Sequence, residues 1–271
     1  MRFQAFRFQA LRSQALQSRA RVAALTLVVL SLGSSVFSQD GLPLLRKMQD
    51  ALGGADKIAA VRDFEQEVRA QSFNGNTGQL LGEVRKRTRW IRPNYLRVDQ
   101  VGPGSTYVLF CNGTSGWEIL PGTQQVIPLT GGELEFARKY VETFMLKTWL
   151  ADRDSRFRVT SPTPAIIRIS DGDPNHQLDI TVDASSSLPV KVSSITLSDP
   201  AHPSTRDELT TEWETVQGIR VPHRWTVYQR GARLAEAMTT STRVNGDLNL
   251  ADLAATPADL KPLFPSSSPA R

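Results

Sequence analysis

The sequence predicts a mainly β protein with a few helices, of the α+β class, built on a curled antiparallel sheet. Three observations carry this. From Phe64 to Val244 the chain is a series of short segments rich in Val, Ile, Thr, Trp and Tyr. Turn dipeptides punctuate the series at even spacing: Asn74-Gly75, Pro103-Gly104, Asn112-Gly113, Pro121-Gly122, Asp171-Gly172, Gln217-Gly218 and Arg230-Gly231. Connections this short make neighbours in sequence neighbours in space, which is the arrangement of an antiparallel sheet. One amphipathic helix precedes the strands and another interrupts them.

Residues 1–38 come first and stand apart. They hold five arginines (Arg2, Arg7, Arg12, Arg19, Arg21), no lysine and no acidic residue, and a crude repeat of Phe3-Gln-Ala, Phe8-Gln-Ala and Ser13-Gln-Ala. The apolar stretch from Val22 to Leu32 and the small residues ending at Ser38 complete the pattern of a secretory signal peptide, cleaved near Ser38. An uncleaved signal anchor is the competing reading, although the apolar run is shorter than the ~20 residues of a spanning helix. The whole chain of 271 residues has 32 basic and 27 acidic side chains. Without those five arginines the remainder is formally neutral, so the net charge of +5 gives no argument for a nucleic-acid partner. The expected organisation is a signal peptide over 1–38, one domain over 39–257, and a Ser/Pro-rich tail over 258–271. The mature protein is expected outside the cytoplasm.

From Leu42 the spacing of Leu44, Leu45, Met48, Ala51 and Leu52 predicts a helix, which Gly53-Gly54 interrupts; Asp56 to Val61 is a second short turn. The strands then begin. Residues 131–150 break the series with Leu134, Ala137, Val141, Phe144, Met145 and Trp149 on one helical stripe, widened by Phe136 and Tyr140. Glu133 and Glu135 sit near its start, where the helix dipole favours acidic groups. The natural place to bury such a helix is against the concave face of a curled sheet. Leu209–Val216, Ile219–Gln229 and Ala232–Val244 then read as a meander joined by two-residue turns.

Motifs for chemistry are missing. His176, His202 and His223 are far apart and in no metal-ligand spacing, and Asp171-Gly-Asp173 lacks the downstream glutamate of a calcium loop. There is no Gly-x-Ser-x-Gly and no phosphate-binding glycine loop. Neither a metal, a cofactor nor catalytic residues are therefore expected. Cys111 is alone and reads as a buried strand residue. Asn112-Gly-Thr114 matches a glycosylation acceptor but is explained by a turn. One basic ribbon stands out: Arg85, Lys86, Arg87, Arg89 and Arg92, with Arg85, Arg87 and Arg89 on one strand face at period two. It suits an envelope protein or lipid phosphates as partner; a solvated outer face paired with acidic residues is its ordinary role.

The run Arg89-Trp-Ile-Arg-Pro-Asn-Tyr-Leu-Arg97 resembles the LolA/LolB-like lipoprotein carrier superfamily, in which an Arg-Pro-Asn step ends a strand. The downstream motifs agree in their order. Asn112-Gly to Trp117, Pro121, the glycine-led internal helix, Arg243-Val-Asn-Gly, Ala251-Asp-Leu and Thr256-Pro257 come in sequence. Ala51-Leu-Gly-Gly-Ala-Asp-Lys57 and Gly218-Ile-Arg-Val-Pro-His-Arg224 are similar to outer membrane lipoprotein-sorting relatives. The resemblance spans residues 42–257.

The resemblance implies a half-open β-barrel lidded by helices and lined for acyl chains. The implied protein is a non-catalytic periplasmic carrier of a lipid or lipoprotein, in transient contact with the membrane or an inner- or outer-membrane partner. A monomer is expected. A sensor or protein-interaction module on the same fold is the alternative. The residue matching the lid-holding arginine is Arg92. Trp90, Trp117, Phe136, Tyr140, Phe144, Met145 and Trp149 are the candidate cavity or lid residues, since apolar side chains build cores and ligand cavities alike.

Overall fold

A computed structural model describes residues 39–102, 105–122, 125–172, 177–196 and 204–257. The expected signal segment and tail lie outside the described residues, as do Asp173, His176 and His202. Two strands and two helices open the domain: β1 (Gln39–Asp40), α1 (Leu42–Ala51), α2 (Ala55–Ala59) and β2 (Asp63–Phe73). The chain continues through β3 (Leu80–Ile91), β4 (Tyr95–Gly102), β5 (Ser105–Cys111), β6 (Gly116–Ile119) and β7 (Val126–Pro128). Helices α3 (Gly131–Glu142) and α4 (Met145–Thr148) and a 3-10 turn at Ala151–Arg153 come next. The last part holds β8 (Arg158–Thr163), β9 (Ile166–Ser170), β10 (Leu178–Val182), β11 (Pro189–Thr196), β12 (Ser204–Val216), β13 (Ile219–Gln229), β14 (Ala232–Val244) and α5 (Leu250–Ala254).

All the strands join one antiparallel sheet in the order β1-β8-β9-β10-β11-β12-β13-β14-β2-β3-β4-β5-β6-β7. The two edges, β1 and β7, do not pair with each other, so the curled sheet is open. The turns do what their residues require. Gln217-Gly218 and Arg230-Gly231 have φ of 48° and 78°, and of 52° and 76°, the left-handed pair that a two-residue hairpin demands. Asn112 closes the β5–β6 turn by accepting from the backbone N–H of Thr114 and Ser115 at 2.9 and 2.7 Å.

Register fixes which residues face inward. One row across the sheet runs Val244, Phe64, Trp90, Leu96, Cys111. These five are buried in one cluster with Leu45, Met48 and Leu52 of α1 and its C-terminal cap, Ile58 of α2, Ala137 and Val141 of α3, and Leu146 of α4. That face is the concave one, and the helices close it. The next row runs Arg243, Glu65, Arg89, Arg97, Phe110, Trp117 and points the other way.

Two details of the helices depart from periodicity or go beyond it. Residues 131–150 are two helices, where the stripe predicts one. Thr143 turns its hydroxyl back to the Lys139 carbonyl oxygen at 2.9 Å, and Phe144 is extended at φ −57°, ψ 135°. That break lets the Phe144 ring drop onto the sheet. The helices are also tied to each other: Gln49 of α1, 2% exposed, donates to the Trp149 carbonyl oxygen at 2.8 Å and to Asp152 at 2.7 Å.

Candidate functional site

The centre of the concave face is an aromatic stack. Phe144 lies over Trp90 with ring centroids 5.4 Å apart and 29° between planes, and meets Phe64 edge-on at 5.8 Å. Such contacts add about 0.5–1.5 kcal/mol each beyond area burial. Trp149, from the end of α4, tilts against Trp213 of β12 at 6.3 Å. Met145 packs beside them against the same cluster. Beneath 131–150 side chains of the helices rest directly on the sheet.

Trp90 carries an anomaly. It is 1% exposed, and its indole Nε1 has no hydrogen-bond partner. Above the ring, the Arg92 guanidinium lies 5.5 Å from its centroid, while Arg92 Nε donates to the Val61 carbonyl oxygen, just past α2, at 3.0 Å. Burial, and then the charge of Arg153, push the Arg92 pKa below its ordinary value. Lys147 of α4 donates to the Asn94 side-chain oxygen at 2.7 Å, and burial first, then Arg156, lowers its pKa. Two strand-turn residues therefore clamp the ends of the helical layer, Arg92 near α2 and Asn94 near α4.

Further along the same face the lining becomes polar. Lys86, which alternates inward between Arg85 and Arg87, donates to the Tyr140 hydroxyl of α3 at 2.9 Å and lies 5.5 Å from that ring. Tyr107, two strands away in the same row as Lys86, is hydrogen-bonded to the buried Glu118; burial, and then that carboxylate, push its phenol pKa up. Sequence reasoning singled out Tyr140 but missed Tyr107 and Glu118, which strand periodicity alone does not join.

Other expected residues lie elsewhere. Trp117 is on the convex face: its Nε1 donates to the Ala254 carbonyl oxygen of α5 at 3.1 Å and its ring meets Phe110. It does not line the space between helices and sheet, because β6 alternates and puts Glu118 there instead. Phe136 is 43% exposed on the outer side of α3. Arg85, Arg87 and Arg89 share the convex face as their period predicts. Arg87 pairs with Glu65 at 3.0 Å and Glu67 at 3.7 Å, and Arg89 pairs with Asp99. Burial lowers the Arg89 pKa against the opposing pull of Asp99. Arg97 extends the network, with Nε 3.0 Å from Asp99 and its guanidinium donating to the carbonyl oxygens of Leu253 and Ala255. Arg87 and Arg89 are thus half-buried structure, held by carboxylates of the neighbouring strands.

The surface clefts differ in character. One of about 570 Å³ lies along α3, lined by Leu134, Glu135, Arg138, Lys139, Glu142 and Asp171 among others, so charged side chains surround it. Among the described residues no group of three His, Cys, Asp or Glu side chains converges to hold a metal, and no helix is long and apolar enough to cross a membrane.

A helix-covered antiparallel sheet of this kind has solved counterparts. An outer membrane lipoprotein-sorting protein domain from Vibrio parahaemolyticus aligns with a TM-score of 0.50 at 12% identity, over 79% of this chain and 95% of that one. A LolA superfamily protein from Nitrosomonas europaea gives 0.50 at 12%, over 78% and 95%. The chain has a LolA-like fold. A DUF1329 family protein from Desulfovibrio piger aligns equally well, with a TM-score of 0.52 at 11% identity over 80% and 98%. No family model matches the sequence, and no curated relative does either. In this LolA-like fold the half-barrel is the sheet from β1 to β7, and helices α1 to α4 cover its concave face.

Proposed function

We propose that this is a non-catalytic binding protein of the bacterial cell envelope that takes an acyl chain of a lipid or lipoprotein between its helical lid and the concave face of its sheet. The observation that carries this reading is the placement of Phe144. Its ring stands at the centre of the concave face on a non-helical link between α3 and α4, so it can be displaced without unwinding either helix, and in this reading it is the plug that a chain replaces. An acyl chain substitutes for such a ring at small cost, since each buried methylene is worth ~0.8 kcal/mol. Arg92 holds the lid by one side-chain bond to the Val61 backbone oxygen, and because water replaces that bond when the helices lift, its net contribution is only about 1.5–3 kcal/mol.

Several observations support the envelope setting: the LolA-like fold, the signal-like residues 1–38, and a solved counterpart whose name refers to outer membrane lipoprotein sorting. The protein is exported to the periplasm, acts as a monomer and hands its cargo to a membrane partner. Delipidated protein titrated with a fluorescent fatty acid or lipopeptide, and mass spectrometry of lipid co-purified with the untreated protein, test this. Saturable binding that Phe144→Trp weakens supports it. Absence of both binding and co-purified lipid overturns it.

A further inference from the structure

Lys86 is a cation that the sheet turns toward its helical cover. Along β3, Arg87 and Arg89 point to the convex face and meet carboxylates there, whereas Lys86 points to the concave face and has no carboxylate at ion-pair distance among the described residues. Its two contacts are both with Tyr140 of α3: the ammonium donates to the hydroxyl at 2.9 Å and lies 5.5 Å from the ring centroid. The ammonium therefore stands between sheet and helix, where the two must part to admit a chain, and that parting strips it of both contacts. Neither contact is an anion, and a half-buried charge attracts one more strongly than a charge in open water does. Its row runs Val68, Lys86, Gln100, Tyr107, and the carboxylates of Glu118 and Glu133 act on the Tyr107 end, two strands away. Lys86 and Trp90 share one face of β3 four residues apart, roughly 13 Å, within the reach of a long acyl chain. The row between them, Thr88, Val98 and Leu109, is buried.

We infer that Lys86 binds the anionic headgroup of the ligand, a carboxylate or a phosphate ester, whose acyl chain runs along β3 to the place that Phe144 fills. This rests on the acyl-binding reading above and names the headgroup class that reading leaves open. The ligand anion takes over from the Tyr140 hydroxyl as acceptor, so a bond from a cation to a neutral oxygen is exchanged for an ion pair, which offsets part of the cost of parting α3 from the sheet. A neutral lipid offers the same chain without that exchange. Lys86 is then a specificity-determining residue, and Tyr140 holds its ammonium in place until a ligand arrives.

The test titrates delipidated protein calorimetrically, at low ionic strength, with three probes that share one oleoyl chain and are kept below micelle-forming concentration. These are monooleoylglycerol, which is neutral, oleate, a carboxylate, and oleoyl lysophosphatidic acid, a phosphate ester. Wild type is expected to bind at least one anionic probe about fivefold or more tighter than the neutral one, the worth of an ion pair still in contact with water; whichever anion is preferred identifies the headgroup. Lys86→Met, of similar length and uncharged, is expected to bind all three alike. Tyr140→Phe removes the competing hydroxyl and leaves the charge, so it is expected to keep the preference. The comparison of probes in wild type stands by itself if either variant folds poorly. Equal binding of all three by wild type, a preference that Lys86→Met keeps, or one that both variants lose overturns this inference and leaves acyl binding standing. Failure of wild type to bind any of the probes overturns both.

Discussion

Gln49 reaches from α1 to the backbone oxygen of Trp149, 2.8 Å away, and this bond joins the first helix of the lid to the last. Both residues are buried, at 2% and 3% exposure. Gln49→Leu keeps the volume and leaves that carbonyl unsatisfied, which costs about 1–3 kcal/mol. The expected result is a lower urea midpoint with an unchanged slope. A midpoint equal to wild type removes Gln49 from the forces that close the lid.

Asp99 sits at 1% exposure between Arg89 and Arg97 on the convex face. Removing the one carboxylate leaves two buried guanidinium groups uncompensated, so Asp99→Ala is expected to lose about 3–5 kcal/mol. Because this network lies on the opposite face from the lid, ligand affinity of the folded variant should not change. Thermal melts paired with a binding titration check both halves.

Cys111 is fully buried in the row beside Leu96, and burial pushes its thiol pKa up. Only the thiolate reacts, so native protein at pH 8 should alkylate at least about tenfold more slowly than unfolded protein. Labelling then tracks opening of the interior. Faster labelling when a ligand is added would mean that the lid lifts on binding; labelling at the unfolded rate in native protein contradicts the burial.

Asp183 lies just past β10, where its Oδ1 accepts from the backbone N–H of Ser185 and Ser186 at 3.2 and 2.7 Å and from both hydroxyls. The Ser185 hydroxyl first, then Ser186, hold its pKa at about 2, below the ordinary 3.8. A depressed folded-state value means a contribution present above pH 3.8 and lost as pH falls through about 2. Denaturation midpoints at pH 5, 4, 3 and 2 should therefore fall less steeply in Asp183→Ala than in wild type. Parallel curves for the two proteins contradict the assignment.

Much of the architecture was legible because it is local. Glycine second in Gln217-Gly218 and Arg230-Gly231 specifies a tight hairpin wherever the strands pair, and Gly53-Gly54 stops α1 whatever packs on it. The same period-two rule places Arg85, Arg87 and Arg89 together and, by parity, Lys86 with Trp90. What the sequence does not carry is which neighbour a residue meets. The stripe through residues 131–150 is unbroken at Phe144, and only the ring's contacts with Trp90 and Phe64, more than fifty residues upstream, account for the break. Trp117 and Trp149 look equally suited to a cavity in the sequence, yet the pairing of Phe110 with Trp117 puts one of them outside. The counter-ions of Arg87 and Arg89 come from β2 and β4, so their apparent charge was a property of one strand read alone.

The alternation along β3 has a consequence for how the chain finds its fold. Sliding β3 by a single residue against β2 would turn Arg87 and Arg89 into the apolar interior and carry Trp90 out to the convex side. Each guanidinium would leave its carboxylate behind, and the lid would close on charge. The ion pairs on the convex face thus favour a single strand alignment, and part of their value lies in the wrong registers they penalise.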